Sequence, residues 1–170
     1  MLQPADQLAG HLADEDSLTA FLTATGCPPA LIETHVSRLL VQTDAGENAL
    51  TVLVDRQADI ENEIDQRLAP LNGALLLISL TGFAPLDGAR TQITYTASLT
   101  VQQVLRPDEM DFATLLQSIV RATRGYKPAT GNTYGDKFHV GVGGEAGVGT
   151  TGQTAVVVYE FPLTIDWPNQ

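Results

Sequence analysis

The most regular pattern in the chain is an alternation of apolar and polar residues from Gln92 to Val101. Successive side chains of a strand point to opposite faces, so the alternation predicts a long strand with one buried and one solvated face. Its phase breaks at Gln102 and Gln103, which predicts a bulge or a strand end there. The predicted buried face consists of Ile93, Tyr95, Ala97, Leu99 and Val101.

A second alternation, from Ala155 to Trp167, predicts another long strand. Pro162 lies within it, and proline has no N–H to donate to a ladder, so we expect a free edge on that side of the strand. Two shorter apolar runs, Ala49–Val54 and Ala74–Thr81, predict further strands. The run Ala74–Thr81 is apolar on both faces, which is typical of a central strand covered on both sides.

Two segments among these strands have the period of a helix. Gln57–Ala69 carries a narrow apolar stripe with residues four apart. Asp108–Arg124 has the stronger pattern, with Asp108 as the predicted N-cap and Gly125 as the predicted end. Its predicted buried positions are Phe112, Leu115, Leu116, Ile119 and Val120.

The first forty residues predict helices. Asp14 or Asp16 can cap a helix that Gly26 ends, and Pro28 and Pro29 can open a second one. The apolar residues of that second helix are Leu31, Ile32, Val36, Leu39 and Leu40. The segment Ile32–Gln42 could instead form a strand, and the sequence leaves both possibilities open.

The order from residue 49 onward is therefore β-α-β-β-α-β, with a helical N-terminal addition. We expect a single α+β domain over residues 1–170, with a mainly antiparallel sheet and helices on one face. Residues 1–45 form the helical addition, and residues 49–124 and 153–167 form the core. Residues 125–152 are a glycine-rich insertion loop, holding 9 of the 15 glycines. A stretch longer than about 12–15 residues without secondary structure is usually functional or disordered.

Composition narrows the classes of function. The net charge of −11 argues against a nucleic-acid-binding surface, although an acidic wall can let a duplex slide past. No apolar run has the length of a membrane helix, and the N-terminus predicts no signal peptide. The single cysteine, Cys27, suits a reducing compartment and is expected to be a small hydrophobe near a helix end.

No motif of catalysis or cofactor binding stands in the required context. Gly147, Gly149 and Gly152 have the spacing of a dinucleotide fingerprint but precede a strand instead of opening a helix. The three histidines His11, His35 and His139 lie far apart without ligand spacing. Acidic residues crowd the helix 57–69, where a solvated face explains them, and no G-x-S-x-G occurs. We therefore predict a protein that is not an enzyme and has no catalytic, cofactor-binding or metal site.

Basic residues cluster around the end of the helix Asp108–Arg124 and the start of the insertion. Such a cluster can complement the helix dipole, or it can contact an acidic partner. The apolar residues Tyr134, Phe138 and Val140 within the insertion would have no reason to lie on a solvent-exposed arm. The predicted contact residues are Arg121, Arg124, Lys127, Tyr134, Lys137, Phe138, His139 and Val140. We expect the insertion to serve assembly, and the fold to form without it.

From residue 54 onward the chain contains the stretch Val54–Ile64, a short helix, the aliphatic strand Leu75–Leu80, a long threonine-rich strand and a helix after Pro107. In their order, these elements resemble those of bacteriophage tail-completion proteins. The similarity is to the tail terminators and minor tail proteins of long-tailed phages, and it covers residues 49–167. It implies a homo-oligomeric ring, expected to be a hexamer, that caps the tail tube and docks to the head-side connector. It also implies a virion location, with assembly in the bacterial host cytoplasm and DNA passing through the lumen without specific binding.

Two other hypotheses stay open. The chain could be another virion part, such as a neck adaptor or a baseplate-proximal protein. It could also be a ferredoxin-like domain that binds a small molecule, with the glycine-rich insertion as a lid.

Overall fold

A mixed sheet of six strands organises the part of the chain that the structure describes. The computed structural model describes residues 3–40, 50–54, 74–102, 112–129, 136–151 and 154–168. The strands are β1 (Leu50–Val54), β2 (Ala74–Pro85), β3 (Arg90–Gln102), β4 (His139–Val140), β5 (Gly144–Thr151) and β6 (Thr154–Pro168). The helices are α1 (Pro4–Leu12), α2 (Glu15–Ala24), α3 (Pro29–Leu40) and α4 (Phe112–Thr123).

The sheet has the order β1-β2-β3-β6, with both β4 and β5 on the far side of β6. Only β1 and β2 are parallel, and every other pair is antiparallel. The expected fold class, α+β with a mainly antiparallel sheet, is confirmed. The predicted helix 57–69, the predicted cap Asp108, Gln103 and the contact residue Tyr134 lie outside the described residues.

β3 and β6, the two strands with alternating apolar and polar residues, are neighbours, and their apolar residues lie opposite one another. Tyr95 lies opposite Leu163 and Ala97 opposite Phe161, so the apolar residues of β3 and β6 share one face. All four side chains are buried in the main core, against which the described helices pack. The other face of β3 carries threonine, serine and glutamine side chains, and the Ser98 hydroxyl donates to Glu160 Oε1 over 3.1 Å.

The N-terminal helices follow the capping signals. The Asp14 carboxylate accepts hydrogen bonds from the N–H groups of Asp16 and Ser17 and caps α2. Gly26, with φ +76°, ends it. α3 remains helical through Leu40, so the alternative of a strand from Ile32 is wrong for the described part of that segment. The segment is helical because Val36 and Leu39, which are three residues apart and share one face of a helix, both pack into the core.

The predicted stripe of α4 is correct only in part. Leu115 and Ile119 are fully buried, but Leu116 and Val120 are half-buried. The helix is rotated so that two small side chains, Ser118 and Ala122, face the interior. Ser118 is tolerated there because its hydroxyl contacts the buried His35, as described below.

The insertion is not a loop throughout, and this corrects the sequence expectation. It contains β4 and β5, which pair with β6 from Thr154 to Thr164. The expected free edge at Pro162 is therefore wrong. β4 and β5 lie along this side of β6, and the gap between them is opposite Pro162. The carbonyl of Pro162 accepts a hydrogen bond from the N–H of Gly141 over 2.8 Å.

Candidate functional site

The hairpin of β2 and β3 extends beyond the part of the sheet that β1 covers. β1 pairs with β2 from Ala74 to Ile78 only. The remainder, Ser79–Pro85, has no strand on that side among the described residues, and we call it the hairpin edge. It contains no charged residue, and Leu80 and Phe83 are 56% and 75% exposed. A polar turn closes the hairpin, where Asp87 and Arg90 form a 3.0 Å ion pair.

The opposite side of the sheet carries a second open edge. β5 pairs only with β6 in the described part of the chain, so its outer side has no strand partner. We call residues 142–151 the glycine edge. Val142 and Val148 are its large apolar side chains, 96% and 61% exposed. Glu145 is its one charged residue.

Phe83 and Val148, one exposed apolar residue from each edge, lie on the same face of the sheet. Phe83 lies opposite Ile93 on β3, in phase with the buried residues. Val148 lies opposite Val157, which lies opposite Val101 of the buried face. Both edges therefore extend the apolar face of the sheet beyond the helices that cover its centre.

The edges also differ in height along the strands. The hairpin edge lies beside the end of β3 near Thr91–Tyr95. The strand of the glycine edge lies beside the start of β6, from Thr154 to Glu160. A strand added at either edge would therefore be shifted along the strand direction relative to one added at the other.

A cavity of about 380 Å³ lies between the end of α2 and the last turns of α4. It brings together two of the predicted contact residues, Arg121 and Arg124, with the buried thiol of Cys27. Arg121 Nη1 lies 3.7 Å from Cys27 Sγ. The remaining lining residues are Leu22, Thr25, Gly26 and Val120.

The other predicted contact residues that the structure describes do not join this cavity. Lys127 and Lys137 are exposed, and His139 is exposed with Nε2 3.6 Å from a carboxylate oxygen of Asp136. Val140 is half-buried against the core. Phe138 is fully buried, so the expectation that it contacts a partner is wrong, because its ring fills the space beside Tyr95 instead.

Two buried histidines join the N-terminal helices to α4. His11 Nε2 donates to the carbonyl of Ala122 over 3.0 Å, and its ring stacks on Tyr126 at a centroid distance of 4.0 Å. His35 Nδ1 lies 2.7 Å from the hydroxyl of Ser118. Burial lowers the pKa of His11, although the Ala122 carbonyl and Asp14 oppose the effect. Burial lowers the pKa of His35 as well, and the positive charge of Arg121 adds to it.

These pKa shifts predict acid destabilisation near neutral pH. Unfolded histidine has a pKa of about 6.5, and both folded values lie lower, so the unfolded chain binds more protons. The free energy of unfolding should therefore be greatest above pH 6.5 and fall as the pH drops below it, until the folded histidines protonate. Urea unfolding at pH 7.5, 6.5 and 5.5 measures this slope. Replacing both histidines with glutamine should flatten this slope. An unchanged stability of the parent at pH 5.5 would contradict the prediction.

The sequence patterns missed both open edges and the place of Cys27 in a cavity. Gly82 and Phe83 are apolar and indicate that the strand continues, but the predicted strand ends at Thr81.

Among the described residues no three His, Cys, Asp or Glu side chains are grouped to hold a metal ion. The described helices include none that is long and apolar enough to cross a membrane. Neither the protein-family models nor the curated proteins include a match to this chain.

Proposed function

We propose that this chain is a structural virion protein that forms a ring at the end of a phage tail tube. The ring stops tube polymerisation and joins the tube to the head-side connector. One observation carries the proposal: within the described residues the sheet has two edges without a strand partner, the hairpin edge and the glycine edge, which lie on opposite sides and carry exposed apolar side chains.

Open strand edges of this kind favour association. An exposed edge has unpaired N–H and C=O groups, and natural proteins usually protect it with charges, proline or a covering segment. The hairpin edge has a bulge after Leu80 and a proline at its end but no charge between them. A two-fold dimer through one edge would leave the other open. Head-to-tail contact covers both edges of every copy.

The strand directions fit such a contact. β2, β3, β6 and β5 alternate in direction, because each neighbouring pair is antiparallel. In a cyclic assembly the β2 of the next copy would then run antiparallel to β5, and the alternation would continue. The shift in height between the two edges would tilt the strands, which closure of a sheet into a barrel requires.

The resemblance supplies the biological setting of this ring, including its expected hexameric state and its partners, the tail tube and connector proteins. The net charge of −11 suits a lumen through which DNA slides. A neck or baseplate adaptor would use the same edges. The lid hypothesis has less support, since residues 136–151 lie along β6 and no described residue of the insertion lines the cavity.

Tube capping tests this function. The full chain, added to the polymerising tail tube protein encoded by the same phage, should shorten the tubes and appear at one end in electron micrographs. Phe83→Lys should abolish capping, because a charge at the hairpin edge opposes strand addition. Leu31→Lys changes another exposed apolar residue, on α3, and should cap normally. Tubes of unchanged length with the parent protein would refute the function.

A further inference from the structure

The cavity between α2 and α4 is lined by both charged and apolar side chains. Arg121 and Arg124, both exposed, bring two guanidinium groups to it. Leu22 and Val120 supply apolar surface, and the Cys27 thiol is buried at its side. A volume of about 380 Å³ is within the usual range of small-molecule sites, roughly 300–1,000 Å³.

The two arginines are not needed to cap α2. The last turn of α2 closes on its own backbone, with the N–H of Gly26 donating to Thr23 and the N–H of Cys27 donating to Leu22. The Thr25 hydroxyl also contacts the carbonyls of Phe21 and Leu22. The carbonyls at this helix end therefore have partners without Arg121 or Arg124.

No described carboxylate neutralises the positive charge at the cavity. Neither arginine forms an ion pair with a carboxylate in the part of the chain that the structure describes. The chain has 20 acidic and only 9 basic residues, so two guanidinium groups at one cavity, without an ion pair among the described residues, are a marked local excess. The field of Arg121 is felt at His35, whose pKa it lowers in addition to the effect of burial.

We propose that this cavity binds a small organic anion. The guanidinium groups of Arg121 and Arg124 hold its carboxylate or phosphate group, for which their planar donors are suited. Its apolar part lies against Leu22 and Val120, beside the thiol of Cys27. This site is separate from the two sheet edges, and its binding does not depend on ring formation.

The thiol provides a direct readout of the cavity. The disulfide reagent 5,5′-dithiobis(2-nitrobenzoate) is anionic, and 4,4′-dithiodipyridine is a neutral reagent of similar chemistry. In each reaction the Cys27 thiolate attacks a reagent sulfur, its proton having gone to solvent. A mixed disulfide forms, the reagent S–S bond breaks and one thiolate leaves. The ratio of the two rate constants measures how strongly the cavity attracts an anion.

We expect Arg121→Gln with Arg124→Gln to lower this ratio by about tenfold, since two opposite charges close to the reagent are lost. Arg90→Gln removes one positive charge at the distant hairpin turn and should leave the ratio nearly unchanged. Citrate or phenyl phosphate should slow the anionic reagent saturably in the parent but not in the double variant. The more effective competitor identifies carboxylate or phosphate as the preferred group.

Three results would overturn the proposal. The ratio could be the same in the parent and in the double variant, or neither competitor could slow the reaction. Cys27 could also react with both reagents only when the protein unfolds, which would show that the cavity admits no ligand. Both arginines are exposed, so equal melting temperatures of parent and variant serve as the check on folding.

Discussion

Replacing Phe138 with alanine should lower the free energy of unfolding by about 3–5 kcal/mol, the usual cost of removing a buried aromatic ring. Phe138 is 0% exposed, and its ring centroid lies 6.3 Å from that of Tyr95. Hydrogen bonds also hold its backbone in place: its N–H donates to the carbonyl of Tyr126, and its carbonyl accepts from the N–H of Gly125. Urea unfolding of the parent and the variant measures the difference.

Val142→Ala is the matched control for this prediction. Val142 lies four residues further along the same insertion but is 96% exposed, so its truncation should change stability by less than about 0.5 kcal/mol. If Phe138→Ala unfolds at the same urea concentration as the parent, the insertion does not contribute to the core. The same reasoning predicts that replacing residues 126–151 with a short linker prevents folding, contrary to the expectation from the sequence.

The alternating strands could be predicted from the sequence because their pattern reflects direct contact with the core. β3 and β6 each bury one face, and the apolar residues recur at every second position. The end of α2 and the end of α4 could be predicted as well, since Gly26 and Gly125 both have positive φ. These signals are local, so they can be interpreted without knowing which helices and strands pack together.

β4 and β5 could not be predicted, because the glycines within and between them have the composition of a loop. A Cβ atom added to Gly143 would lie 2.6 Å from the carbonyl oxygen of Glu160. One added to Gly141 would lie 2.5 Å from Cγ of Pro162. These two glycines therefore permit close approach to β6, a reason for glycine that its local sequence does not reveal.

The basic residues at the end of α4 were predicted to act together, and Arg121 and Arg124 do meet at one cavity. The presence of Cys27 beside them could not be predicted, since it lies 94 residues away from Arg121. The open edges were missed for a similar reason. Whether Phe83 is covered depends on how far β1 extends along β2, and no pattern within β2 contains that information.

The second large effect concerns assembly. Phe83→Lys and Val148→Lys should each raise the protein concentration needed for ring formation by at least about tenfold, because each places a charge in an apolar strand contact. Both side chains are exposed, so both variants should fold as the parent does. Leu31→Lys, on α3, should form rings at the parent concentration.

Native mass spectrometry of the two variants, alone and mixed, tests the head-to-tail ring most directly. The parent should give a single closed ring, expected to be a hexamer, and each variant alone should give monomers. In the equimolar mixture one intact hairpin edge can meet one intact glycine edge, so the predicted species is a dimer with one copy of each variant. Rings from Val148→Lys alone, or a parent that stays monomeric at every concentration, would contradict the account.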